Sequence, residues 1–322
     1  MIRISIIGLG LIGGSLGMAL RAAEAKESAL GPLEVTGWDR DSRVVKEAHG
    51  RLAIDHAAAT LAECVRTAQI VVVATPVQAV RDVLHELAPL LPAGAVVTDV
   101  ASTKAEVARW AAEMLPAGVA YVGGHPMAGK EHAGIEAATP DLFQQAIYCL
   151  TANPQTPQPA LEAVEALVRT VGAKPYYIDP EEHDAYVAAI SHLPMLLSVG
   201  LMAVTSSSPA WRELAPLAAT GFRDVSRLAS GDPQMHRDIL LTNRVALTRW
   251  IDAMLGFLVE MRDQLAANDS ASIEALLQRT KEQRDTWLAS RPNLRPGEAD
   301  FLQQPEPERP NLFSFRLPKR KG

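Results

Sequence analysis

A short apolar strand that runs straight into a glycine-rich turn constrains the fold of this chain more than any other feature. Residues 2–7 are mostly aliphatic on both faces, as in a strand buried inside a parallel sheet. Residues 8–15 read Gly-Leu-Gly-Leu-Ile-Gly-Gly-Ser, which fits G-x-G-x-x-G, and residues 11–23 continue with helical spacing. This order predicts a strand, a tight turn and a helix whose N-terminus faces the pyrophosphate of a bound dinucleotide.

The glycines of this turn have separate predicted roles. Gly8 makes the turn, Gly10 lets the backbone approach the pyrophosphate, and Gly13 lets the helix pack on the strand. The predicted cofactor-binding residues of the turn are Gly8, Gly10, Leu11, Ile12 and Gly13.

An acidic residue follows the next predicted strand, at residues 33–38. Asp39 stands where a carboxylate binds the ribose hydroxyls of NAD and repels a 2′-phosphate, so NAD is favoured over NADP. Arg40 keeps NADP open, because an arginine here can hold a 2′-phosphate, although a solvated surface arginine is the simpler interpretation. Residues 24–32 are typical of an inserted loop.

Strands and helices then alternate up to residue 178. Predicted strands lie at 69–74, 95–98, 120–122, 146–151 and 174–178, and predicted helices at 77–90, 103–115 and 159–171. The pattern predicts an α/β domain over residues 1–178 with a doubly wound, Rossmann-type parallel sheet. Because ligands bind at the carboxyl ends of such strands, Thr75, Pro76 and residues 99–104 should line the crevice of the glycine turn. Ser102 has a structural alternative, as the cap of the helix predicted to begin at Thr103.

Residues 122–131 read Val-Gly-Gly-His-Pro-Met-Ala-Gly-Lys-Glu. Glycine and proline break this segment so often that we predict a loop of defined shape rather than a helix or a long strand. The loop follows a predicted strand, which places His125 at a carboxyl end of the sheet and favours a functional role over a merely solvated histidine.

Strand signals stop after residue 178, and residues 179–290 are predicted to be all helical. A long helix over 180–204 should kink at Pro194, close to His192. For His192, a histidine packed in the core is the simpler alternative to a functional role.

Gly221 precedes Arg223 and Arg227, whose i, i+4 spacing suits either a carboxylate clamp or a solvated face. Further helices at 243–265 and 272–288 carry apolar stripes typical of a core or a dimer interface. The proline-rich tail, 291–322, is predicted to be extended or disordered.

Length, charge and cysteine content argue against several classes of function. At 322 residues the chain is long enough for two domains, and a net charge of -6 argues against a nucleic-acid partner. The two cysteines, Cys64 and Cys149, have no metal-ligand spacing and are predicted to be buried thiols, so no metal site is expected. Neither a signal peptide nor an apolar run long enough to span a bilayer is evident, which indicates a cytoplasmic protein without a membrane partner.

Five segments together resemble the prephenate and arogenate dehydrogenases of tyrosine biosynthesis, over residues 2–288. They are residues 8–15, Asp99-Val-Ala-Ser-Thr-Lys104, Gly124-His-Pro-Met-Ala-Gly129 with Glu131, Ser191-His-Leu-Pro194 and Gly221-Phe-Arg-Asp-Val-Ser-Arg227. The resemblance implies oxidative decarboxylation of a small-molecule substrate, prephenate or arogenate, with hydride transfer to NAD, and an all-α C-terminal domain that forms a homodimer.

The resemblance also implies roles for single residues. His125 would accept the proton of the substrate hydroxyl, with Ser102 holding that hydroxyl and the imidazole in line. The implied substrate-binding residues are His192, Arg227, Arg223, Gly221 and Lys130. Lys130 departs from the family pattern, in which a small hydroxyl residue is common at this position.

Two other classes fit parts of the pattern. A β-hydroxyacid dehydrogenase or a pyrroline-carboxylate reductase shares the N-terminal unit followed by helices, but the hydroxyacid class would place a lysine on the first long helix, where this chain has His183 and His192. A non-catalytic NAD-sensing protein would keep the fold without the chemistry, and the presence of His125, Ser102 and Arg227 together argues against it.

Overall fold

The computed structural model of the chain describes residues 1–24, 30–130 and 132–290. Its first part is built on one eight-stranded sheet with the strand order β3-β2-β1-β4-β5-β6-β7-β8. The strands are β1 (Ile2–Ile7), β2 (Leu33–Trp38), β3 (His56–Ala57), β4 (Ile70–Val73), β5 (Val96–Asp99), β6 (Ala120–Pro126), β7 (Ile147–Thr151) and β8 (Lys174–Tyr177). All pairs are parallel except β6 with β7, which confirms the predicted doubly wound α/β sheet.

Helices cover both faces of this sheet, because its central strands are apolar on both sides. Ile4 and Ile6 pack with helices α1, α2 and α6 on one face, whereas Ile7, Val71 and Val73 pack with α3, α4 and α5 on the other. The helices are α1 (Leu11–Glu24), α2 (Ser42–Gly50), α3 (Leu61–Val65), α4 (Val77–Leu87), α5 (Ala105–Met114) and α6 (Gln158–Thr170). The carboxyl ends of β1, β4 and β5 therefore open onto one shared edge of the sheet.

The second part of the structure is helical. Its α-helices are α7 (Pro180–Val187), α8 (Leu193–Ser206), α9 (Trp211–Leu214), α10 (Thr220–Ser226), α11 (Pro233–Thr242), α12 (Arg244–Ala266) and α13 (Ser270–Ala289). Ala188, Leu193 and Leu247 form a small buried core, against which Trp250 and Ile251 pack. The first part is thus sheet-based and the second is helix-based, as the sequence predicts.

A π-helical turn, Ala188–His192, joins α7 to α8, so the predicted long helix is continuous from Pro180 to Ser206. The turn ends two residues before Pro194, whose ring and missing N–H disturb the normal hydrogen-bond ladder. This run of 27 residues is the one described helix that is long and apolar enough to cross a membrane by length and composition alone. The prediction that the chain has no apolar run of this length is therefore wrong for this helix, although core helices of globular proteins pass the same test.

The predicted loop over residues 122–131 is wrong as far as Pro126, because β6 continues through Gly123, Gly124 and His125 to that residue, and the chain is irregular only from Met127 to Lys130. Gly123 pairs with Thr151 and His125 with Cys149 across the antiparallel ladder to β7. The glycines are needed for close approach rather than for a turn: a Cβ on Gly123 would lie 2.3 Å from Thr151 Oγ1, and one on Gly124 would lie 2.4 Å from the Asp99 carbonyl oxygen. His125 therefore lies on β6, the strand between β5 and β7.

The two cysteines are free and buried, as predicted. Burial raises the pKa of the Cys64 thiol to about 12 and that of Cys149 to about 11, so both stay protonated at neutral pH. Among the described residues no group of three or more His, Cys, Asp or Glu side chains is arranged to hold a metal ion. The predicted tail at 291–322, most of the predicted inserted loop at 24–32, and Glu131 lie outside the described residues.

Candidate active site

The glycine turn between β1 and α1 has the geometry that its sequence predicts. Gly8 has a φ of +91°, and a Cβ there would lie 2.6 Å from the Ala74 carbonyl oxygen. A Cβ on Gly13 would lie 1.9 Å from the Gly8 carbonyl oxygen, whereas one on Gly10 would meet nothing within 4 Å. Gly8 and Gly13 therefore permit tight packing, and the space beside Gly10 is open to a ligand at the start of α1.

Asp39 lies beside this turn, at the carboxyl end of β2. Its two carboxylate oxygens accept hydrogen bonds from the backbone N–H groups of Leu9 and Asp41, each at 2.9 Å. These bonds fix the carboxylate next to the glycine turn. Arg40 beside it is exposed.

The neighbouring strand end supplies a hydroxyl without a partner. Thr75 Oγ1 is buried and makes no hydrogen bond to any described residue, and Thr75 lies against the Gly8 side of the turn. Pro76 precedes α4 and is exposed. The open space beside Gly10, the fixed carboxylate of Asp39 and the unpartnered hydroxyl of Thr75 lie at one edge of the sheet, and this arrangement fits a dinucleotide.

A buried lysine links β5 to the strand that carries His125. Lys104 is 0% exposed, and its ammonium donates to the Asp99 carboxylate and, at 2.7 Å, to the Gly124 carbonyl oxygen. Tyr121 donates to the other Asp99 oxygen at 2.6 Å, and burial beside that carboxylate raises the pKa of the Tyr121 phenol well above its usual value. The buried charges are paired, and the pair holds the backbone one residue before His125 in place.

His125 is hydrogen-bonded to a histidine of the helical part. Its Nδ1 lies 2.9 Å from His183 Nε2, and His183 Nδ1 lies 2.8 Å from Asp184 Oδ1. Burial, together with the positive charges that His183, Lys104 and His192 can carry, holds the pKa of His125 well below its ordinary value. His125 is therefore neutral at physiological pH, which is the state that a general base requires.

The start of α5 is capped from outside its own sequence. The backbone N–H groups of Lys104 and Ala105 donate to the two carboxylate oxygens of Asp184, at 2.7 and 3.0 Å. The helix begins at Ala105, later than predicted, and its cap residue makes no side-chain cap bond. Ser102 thus does not cap this helix; it is half-buried, just after Asp99 at the edge where His125 lies.

His192 is buried in the helical part, where its Nδ1 lies 3.1 Å from Asn243 Nδ2. The same amide donates to the Asp184 carbonyl oxygen at 2.7 Å. Burial lowers the pKa of His192 to about 4, although Asp184 acts in the opposite direction. His192 is therefore a neutral member of the same polar cluster as Asp184.

The other predicted substrate-binding residues lie on exposed segments. Arg223 makes an exposed ion pair with Asp224, and Gly221 and Arg227 are exposed at the two ends of α10. Lys130 donates to the Ala137 carbonyl oxygen and to Thr139 Oγ1, both at 2.9 Å. Helix α10 is attached to α8 through a hydrogen bond from Ser198 to the Val225 carbonyl oxygen, so it belongs to the helical run that carries His192.

Four members of this site have no role that the sequence predicts: Lys104, His183, Asp184 and Asn243. Lys104 lies in the segment predicted to line the crevice, and His183 is predicted only as a histidine on a helix. Their importance comes from burial and from contacts between residues about 60 to 80 positions apart, as between His125 and His183 or Lys104 and Asp184, which no local pattern reveals.

A glycine turn, a ribose-side carboxylate and a neutral histidine at the carboxyl edge of a doubly wound sheet, closed by a helical part, define a dinucleotide-dependent oxidoreductase. Two family models match the chain: "Prephenate dehydrogenase, nucleotide-binding domain" over residues 23–177 and "Prephenate dehydrogenase, dimerization domain" over residues 179–279. The chain belongs to the prephenate dehydrogenase family.

Individual relatives agree with this assignment. A prephenate dehydrogenase of Bacillus subtilis is 34% identical over 88% of this chain and 75% of its own length. Among solved structures, a Synechocystis arogenate dehydrogenase is 31% identical with a TM-score of 0.76, covering 89% of this chain and 100% of that one. An Aquifex aeolicus prephenate dehydrogenase in complex with hydroxyphenyl propionate and NAD+ is 26% identical with a TM-score of 0.81, covering 89% and 98%.

Proposed function

We propose that the chain oxidatively decarboxylates prephenate, arogenate or both, with NAD as hydride acceptor, to give 4-hydroxyphenylpyruvate or tyrosine. The observation that carries the proposal is the placement of His125, a neutral imidazole on a rigid strand at the cofactor edge of the sheet. Relatives named for each of the two substrates support both alternatives.

In the proposed reaction, His125 acts as the general base. Its Nδ1 is held by His183, so Nε2 is the nitrogen available to a substrate hydroxyl, whose proton it takes as the ring carbon becomes carbonyl-like. Ser102 would bond the same hydroxyl and keep it in line with the imidazole. The bound nicotinamide supplies an acceptor for the hydride from that carbon. Loss of carbon dioxide then makes the ring aromatic.

The substrate carboxylates need cationic partners, and the helical part offers them. We assign Arg227 to grip a carboxylate, with Arg223 and Gly221 supporting that end of α10, because the guanidinium fork matches a carboxylate in shape and charge. His192 and Lys130 remain proposed members of the pocket. Lys130 is held by its own loop, which would place its charge at the pocket mouth.

NAD is the proposed cofactor in preference to NADP. Asp39 is fixed by two backbone N–H groups, so it cannot readily turn away from a 2′-phosphate, and a fixed carboxylate repels that group. Arg40 is the feature that favours NADP. Rates of nucleotide reduction with prephenate and arogenate, each with NAD and NADP, decide both questions in one set of assays.

The test of the base is His125→Asn. Asparagine still offers an N–H near the Nδ1 position, so the contact with His183 can persist while the base is lost. We expect turnover to fall by about two to four orders of magnitude, the usual contribution of a general base, with NAD affinity close to that of the unmodified enzyme. Cofactor binding serves as the folding control. Turnover equal to that of the unmodified enzyme would contradict the assignment.

A further inference from the structure

Three side chains form an unbroken hydrogen-bonded series that ends on the proposed base. Asp184 Oδ1 lies 2.8 Å from His183 Nδ1, and His183 Nε2 lies 2.9 Å from His125 Nδ1. His183 is 1% exposed and Asp184 is 4% exposed, so water does not compete for these contacts. The series crosses from the helical part to the sheet. The reaction as proposed above uses His183 only as a contact of His125 Nδ1 and gives Asp184 no role.

The donor and acceptor at each contact follow from the chemistry of the groups. A carboxylate only accepts, so His183 Nδ1 must carry the proton that faces Asp184. A neutral His183 then has a lone pair at Nε2, and His125 Nδ1 must be the donor to it. Since neutral His125 has one N–H, its Nε2 is left with a lone pair. The carboxylate thereby fixes the tautomer of a ring two residues away in the series.

Asp184 also accepts hydrogen bonds from a second element. Its carboxylate accepts from the backbone N–H groups of Lys104 and Ala105 at the N-terminus of α5, where the helix dipole favours negative charge. The Lys104 ammonium is taken up by Asp99 and the Gly124 carbonyl oxygen. Among the other titratable neighbours of Asp184, which include Tyr121 and Glu181, His192 is neutral beside Asn243.

We propose that His183 and Asp184 are positioning residues that hold His125 as its Nδ1–H tautomer, with the Nε2 lone pair directed to the substrate hydroxyl. The inference rests on the proposed function of His125. When His125 takes the proton at Nε2, it becomes an imidazolium with N–H groups on both nitrogens. His183 Nε2 accepts from one of them and Asp184 supports the charge through His183, so the series also stabilises the protonated base.

Three variants test the proposal through turnover. His183→Ala removes the acceptor for His125 Nδ1–H, whereas His183→Gln restores a carbonyl oxygen near the position of Nε2. Thr242→Val is the matched control, because the Thr242 hydroxyl makes a buried bond of 2.9 Å to Thr103 across the same junction without touching the series.

We expect His183→Ala to lower kcat by about 10- to 100-fold, a part of the general-base contribution of about 10²–10⁴, with a much smaller change in KM. His183→Gln should recover most of the loss, and Thr242→Val should keep the kcat of the unmodified enzyme. Thermal unfolding of all three is measured alongside. A kcat for His183→Ala equal to that of Thr242→Val would overturn the proposal.

Nitrogen NMR of protein with isotope-labelled histidine gives a readout that does not depend on turnover or on the folding of a variant. In the unmodified protein the His125 resonances, assigned by their loss in His125→Asn, should report a protonated Nδ1 and an unprotonated Nε2. A protonated Nε2 would overturn the proposal. If neither substrate is turned over, the proposed function fails by itself, and the nitrogen spectrum still decides the tautomer.

Discussion

At the scale of single residues, the site is governed by histidines that are buried as neutral rings. Burial lowers the pKa of His125 and of His192, the latter to about 4, below the value of about 6.5 in an unfolded chain. Between pH values of about 4 and 6.5, His192 therefore binds a proton in the unfolded chain but not in the folded chain. Acid therefore favours unfolding in this range.

The pH dependence of stability tests this burial. The contribution of His192 is fully present above pH 6.5 and is lost as the pH falls towards about 4, which corresponds to about 3 kcal/mol. We expect the free energy of unfolding from urea titrations to decrease over this range, and to decrease less in His192→Gln. The same pH slope in both proteins would show that His192 is not buried as a neutral ring.

Residues with local signatures were predictable, and those defined by distant contacts were not. Gly8 and Gly13 lie in a motif whose spacing encodes their close packing, and Asp39 follows the next strand, which brings it beside the turn. His183 and Asp184 have no such motif. An acid in the first turns of a helix usually serves that helix, whereas Asp184 caps a different one, α5.

At the scale of elements, β6 is a strand whose composition predicts a loop. Glycine and proline are poor strand formers, so Gly-Gly-His-Pro predicts a loop. Here the neighbouring strands approach so closely that only glycine fits, and the antiparallel ladder to β7 supplies the hydrogen bonds that hold the segment extended. Strands such as β1, β4, β5 and β7 were predictable because they are largely buried apolar runs bounded by turns, whereas β3, two exposed residues, carries no strand signal.

The fit of β6 can be tested with a pair of glycine variants. In Gly124→Ala the new methyl group would meet the Asp99 carbonyl oxygen at 2.4 Å, which is backbone and cannot rotate away. We expect a loss of about 1–3 kcal/mol in the free energy of unfolding, together with reduced turnover as His125 shifts. Gly129→Ala, where nothing lies within 4 Å, should stay within about 0.5 kcal/mol. Equal stabilities of the two variants would contradict the close-approach role.

At the scale of the whole molecule, the last two helices lack a covering surface within the described chain. Helix α12 buries only Leu247, and α13 buries no residue. Large apolar side chains are instead exposed along both helices, at Leu255, Phe257, Leu258, Val259, Leu265 and Leu277. A patch of this kind marks an association site, and the family model for this part is described as a dimerization domain. We infer that two copies pair through α12 and α13.

A charge placed in this patch tests the pairing. Leu258→Glu should shift the protein from dimer to monomer in sedimentation equilibrium, because a carboxylate buried without a partner opposes association. Leu90→Glu, on an exposed apolar residue of the sheet-based part, is the control and should leave the dimer intact. A Leu258→Glu protein that sediments as the unmodified dimer would place the interface elsewhere.

The π-helical turn between α7 and α8 has a consequence for helical phase. Asp184 and His192 are eight positions apart, which at about 100° per residue would set them roughly 80° apart around a regular α-helix. The π turn absorbs about one residue, which brings them to within roughly 20° and explains how the Asn243 amide reaches both. Deleting one residue of this turn would rotate all of α8 relative to α7, so the length of the segment, as much as its composition, is under constraint.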